Sequence, residues 1–96
     1  EPNKIKEEVT ALQTRFDALR GFFDYANKKD RLAEVNAELE RGDIWNNPAK
    51  AQEIGRERAK LEDIIQPLER AEAGLKDAID LLEMAEAEGD SGTIAE

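Results

Sequence analysis

The chain has no cysteine and no histidine. The first absence removes any disulfide framework and any thiolate nucleophile. The second removes an imidazole base, and together they remove the usual zinc ligand set. Aromatic residues are scarce at 5%, which rules out a large globular core, and the six glycines stand singly, so no Gly-rich loop is available to cradle a phosphate. No run approaches the roughly 18 apolar residues of a membrane span, and no charged-then-apolar leader opens the sequence. The expected address is a reducing cytoplasm.

Charge is what the chain has in quantity. Of its 96 residues 39% are charged, 14 basic against 23 acidic, and the net charge of -9 disfavours nonspecific binding to nucleic acid phosphates. The distribution is uneven: residues 1 to 31 hold seven basic and six acidic side chains, while 32 to 96 hold seven and 17. Any contact with RNA therefore belongs to the first third. A thin core of Leu, Ile and Ala in a helical hairpin or bundle suits this composition.

Periodicity supplies the elements. Ile5, Val9, Leu12, Phe16, Leu19 and Phe23 recur at alternating steps of four and three, which predicts an amphipathic helix over about 4–20, with Gly21 placed for a left-handed C-terminal cap. Asp24 is a candidate N-cap for a second helix over 25–41, carrying Leu32, Val35 and Leu39 on one face and closed by Gly42. Asn47 and Pro48 then suit a helix entrance. From there Ile54, Leu61, Leu68, Leu75 and Leu82 hold an unbroken spacing of seven, predicting a third helix over about 48–88, roughly 60 Å long.

Pro67 falls inside that third stretch, where it should cost about 3 kcal/mol by removing a hydrogen bond and crowding a carbonyl. The spacing of seven passes across it without a shift, so a kinked but continuous helix is expected. Gly89-Asp90-Ser91-Gly92 reads as a turn, with 91–96 the start of a following segment. The fold class is all-α: a three-helix, coiled-coil-like antiparallel bundle with a long third helix. By length the first two helices cover only about half of the third, leaving its stripe bare beyond Pro67. Leu68, Leu75, Ile79 and Leu82 are thus the candidates for self-association or for an interface with a missing helix.

Little in this pattern carries chemistry. Carboxylates such as Glu62 and Asp63, or Asp77 and Asp80, lie on convex, wet helix faces. Acid and base work needs a partly dry cleft that moves two pKa values apart. No Glu-x-x-His or calcium-loop spacing occurs, so no metal site, cofactor or catalytic residue is assigned. Lys28, Lys29 and Arg31 form the one basic cluster, with Tyr25 a turn ahead. They are candidates for contact with an RNA backbone, or else a solvated face with pairs such as Lys28 to Asp24, the simpler reading. Trp45, the single Trp, reads as a plug over a helix junction or as an exposed hot spot, and Phe16, Phe22 and Phe23 as core.

One stretch is more specific than heptads. Leu19-Arg20-Gly21, Asp24-Tyr25, Lys28-Lys29, Arg31-Leu32, Glu34-Val35-Asn36-Ala37-Glu38-Leu39-Glu40, then Asp43, Trp45-Asn46, Pro48, Ala51, Gly55 and Arg58 resemble the N-terminal helical domain of bacterial peptide chain release factor 2. The resemblance is strongest from Leu19 to Glu62 and stays compatible through about Asp90, so residues 1–90 would be that domain. It implies a cytoplasmic factor that enters the ribosome at UGA or UAA codons and triggers hydrolysis of peptidyl-tRNA. The family works through a Ser-Pro-Phe tripeptide and a Gly-Gly-Gln loop. Neither occurs here, where the only serine is Ser91. The resemblance therefore implies a noncatalytic docking and positioning domain, near the stalk base of the ribosome.

Two residues depart from the family pattern. Phe23 stands before Asp24 where the family often has Leu at a programmed frameshift, and Pro67 interrupts what the family makes a long helix. A helical-hairpin adaptor or oligomerisation module with no ribosomal role is the rival reading. A basic tRNA-binding arm fits poorly with an acidic chain.

Overall fold

A computed structural model describes the backbone of residues 2–95 and the side chains of residues 3–89. Three α-helices follow one another: α1 spans Pro2–Phe22, α2 Tyr25–Glu40 and α3 Pro48–Ala95, with a 3₁₀ turn over Gly42–Asn46 before α3. The expected all-α bundle is what forms, and no strand is found among the described residues.

Helix ends depart from the sequence reading. Gly21 lies inside α1, and none of the described glycines has a positive φ. The left-handed residue is Asp24, at φ 53° and ψ 48°, and its N–H donates to the Gly21 carbonyl at 3.1 Å. Asp is one of the few non-glycine types that enter this region at small cost. Asp24 does precede α2, but its carboxylate caps no backbone N–H. It accepts instead from the Asn27 side-chain amide, at 2.9 and 3.1 Å.

Gly42 does not close α2 either. Arg41 turns extended at φ -72° and ψ 126°, its N–H bonding the Glu38 carbonyl at 3.3 Å, and the 3₁₀ turn begins at Gly42. The start of α3 is as the sequence indicates. Asn47 Oδ1 accepts the Lys50 N–H at 3.2 Å and Pro48 takes the first helical position, where a missing N–H costs nothing.

α3 is one helix of 48 residues that runs through Pro67 and through Gly89–Gly92, where a turn was expected. Glu96 lies outside the described residues. Contacts divide the chain into two units, one joining α1 through Leu19 to α3 from Arg70 onward and the other comprising Arg20–Glu69. In the second unit Val35, Ala51, Ile54, Ile65 and Leu68 are buried. Ile65 and Val35 are nearly inaccessible at 1% and 0%, each stabilising the fold by about 1.5–3 kcal/mol through burial.

In the first unit Phe16 is buried, while Val9, Leu75, Ala78, Ile79 and Leu82 are half-buried. The half of α3 beyond Pro67 is therefore not bare. α1 lies against it antiparallel, with Lys6 Nζ 3.1 Å from Glu86 Oε1. The expectation that α1 and α2 share only the proximal half of α3 is corrected: each helix pairs with a different half. Phe22 and Phe23 are likewise not core. They stand exposed, packed edge to face on each other with ring centroids 5.1 Å apart.

Candidate docking surface

The seam between α2 and α3 is built from α2's own basic residues. Lys29 lies one turn beyond Tyr25 on the same face, and both reach one oxygen of Glu69: Lys29 Nζ donates at 2.6 Å and the Tyr25 hydroxyl at 3.0 Å. The Arg20 guanidinium stacks over the Tyr25 ring, 4.6 Å from its centroid. Two residues past Lys29, Arg31 meets Glu57 through two bonds at 2.8 and 2.7 Å and also binds Glu34 at 3.0 Å. α2 runs forward as its partners run backward along α3, which makes the pair antiparallel.

These pairings move the titrations in one direction. The hydrogen bond from Arg31 holds the Glu57 carboxyl below the usual range, and that from Lys29, with a second from Tyr25, does the same for Glu69. The reciprocal bonds raise Lys29 and Arg31 above their ordinary values. All four groups remain solvated, so this is a surface ladder of charges and not a dry acid-base pair.

Every residue of the predicted basic cluster is thus engaged within the fold. Lys28 Nζ bonds the Phe23 carbonyl and not Asp24. Sequence reading brought Lys28, Lys29 and Arg31 together but missed Glu57 and Glu69. The only signal for them is that they flank the heptad stripe on the third helix. Beside Arg31 an open groove of about 430 Å³ is lined by residues of both signs, among them Glu38, Arg41, Asp43, Lys50, Glu53 and Glu57. Among the described residues no carboxylate group converges closely enough to hold a metal ion.

Trp45 is no plug. It is 63% exposed, and its indole N–H donates to the Leu39 carbonyl at 3.1 Å, one of the acceptors left open at the end of α2. Of the four residues expected at an interface, Leu68 is buried and Leu75, Ile79 and Leu82 are half-buried, the last two lining a groove of about 240 Å³ with Lys6, Val9 and Gln13 of α1. The more exposed apolar side chains of this unit are Ile5, Leu12 and Leu19 on α1 and Leu81 and Met84 on α3.

The sequence that builds these helices and the Asp43–Pro48 connection has counterparts. The PCRF domain family matches residues 28–96. The chain belongs to the PCRF domain family. Among curated relatives of this PCRF chain, peptide chain release factor 2 of Proteus mirabilis (strain HI4320) is 47% identical over 72 residues, covering 75% of the chain. The same-named protein of Yersinia pseudotuberculosis serotype O:1b (strain IP 31758) is 47% identical over 72 residues and that of Yersinia enterocolitica serotype O:8 47% over 70, the latter covering 73% of the chain. The PCRF chain spans about a fifth of the length of these relatives, 20%, 20% and 19% respectively. The likeness to release factor 2 expected from Leu19–Glu62 is borne out. Among the described residues of the PCRF chain no helix is long and apolar enough to cross a membrane.

Proposed function

We propose that this chain is the docking and positioning domain of a translation termination factor. In its full length that factor would recognise UGA and UAA on the ribosome and promote hydrolysis of peptidyl-tRNA, in the cytoplasm. The observation that carries the reading is the family match over residues 28–96 together with 47% identity to release factor 2. A noncatalytic role for the segment itself is supported by its solvated carboxylates and by the absence of Ser-Pro-Phe and Gly-Gly-Gln from the sequence.

On the ribosome the segment would sit near the stalk base. Lys28, Lys29 and Arg31 are its RNA-facing candidates, and an RNA contact at Lys29 or Arg31 must compete with Glu69 or Glu57 for the same cation. Such a contact would weaken steeply with salt, whereas one made through apolar side chains would not. In the same reading Leu75, Ile79 and Leu82 contribute to self-association only through the surface that α1 leaves open, while Leu68 is buried within its own unit.

The test is peptide release from ribosomes halted at UGA, UAA or UAG. The 96-residue chain alone should release nothing, and the longer protein that carries it should act at UGA and UAA but not at UAG. Release by the isolated chain, or release by the longer protein at UAG in place of UGA, would overturn the assignment.

A further inference from the structure

We draw no further inference here: the strongest candidate, the exposed surface patch made by Phe22 and Phe23 at the turn between α1 and α2, carries nothing because nothing in the structure shows what covers it.

Discussion

Arg31 and Glu57 meet fork to fork across the seam of α2 and α3, with Nε donating to Oε2 at 2.8 Å and Nη2 to Oε1 at 2.7 Å. Two parallel bonds fix an orientation as well as a distance, which lysine cannot do. Arg31→Lys should therefore lower the thermal midpoint while keeping the charge, and Arg31→Gln should lower it further. Equal midpoints for the two variants would mean that charge alone matters here. Thermal melts followed by circular dichroism measure this.

The same seam sets a pH dependence. Glu57 and Glu69 titrate below their ordinary range, so the stability they contribute is present above about pH 4.3 and is lost as pH falls through their folded values. Lys29 has the opposite sign: its contribution holds below about pH 10.4 and disappears as pH rises through its raised value. Melts should show a plateau between these limits, with an acid decline that is shallower in the variant carrying Glu57→Gln and Glu69→Gln. An unchanged acid slope in that variant would assign the decline to other carboxylates. High salt should lower the plateau, because these pairs are solvated.

Pro67, Gly55 and Gly74 are poor helix formers inside α3. Pro67→Ala should raise unfolding stability by up to about 3 kcal/mol, and Gly74→Ala by about 1 kcal/mol, the latter with no clash to offset it. Urea denaturation gives both values. A loss of stability at Pro67→Ala would show that the helix depends on the irregularity there.

Core and surface should separate cleanly along α3. Ile65 is 1% exposed and Leu81 65%, so Ile65→Ala should cost about 2–5 kcal/mol and Leu81→Ala less than about 0.5 kcal/mol in the same denaturation experiment. Comparable losses at the two positions would contradict the burial described for α3.

Trp45 gives an optical check. As the only Trp, and 63% exposed, it should emit at long wavelength and be quenched readily by iodide or acrylamide. Trp45→Phe removes the bond to the Leu39 carbonyl and should cost about 1 kcal/mol or less. A blue-shifted, protected emission would place the indole in a packed environment.

The sequence makes the stripe on α3 and its entrance readable because both are local: a spacing of seven, and an Asn followed by Pro. Continuity through Pro67 follows from the same spacing, which an intervening loop would have no reason to keep. Other features depend on residues far apart in the chain. Glu57 is 26 residues from Arg31 and Glu69 is 40 from Lys29, so the basic cluster reads as free until the helices are paired. Phe22 and Phe23 continue an apolar period, yet the turn at Asp24 follows at once and leaves Phe22 80% and Phe23 36% exposed. Gly21 and Gly42 look like caps by composition, but Asp24 and Arg41 make the turns.

Asp24 has a consequence in the genetic code. A left-handed backbone at that position admits Asp, Asn or Gly without much strain and penalises nearly everything else. The Asp codons GAY differ from AAY and from GGY at a single base each, so Asp24 can change to either of the others in one mutational step. Most other single-base changes there bring in side chains that the turn between α1 and α2 disfavours.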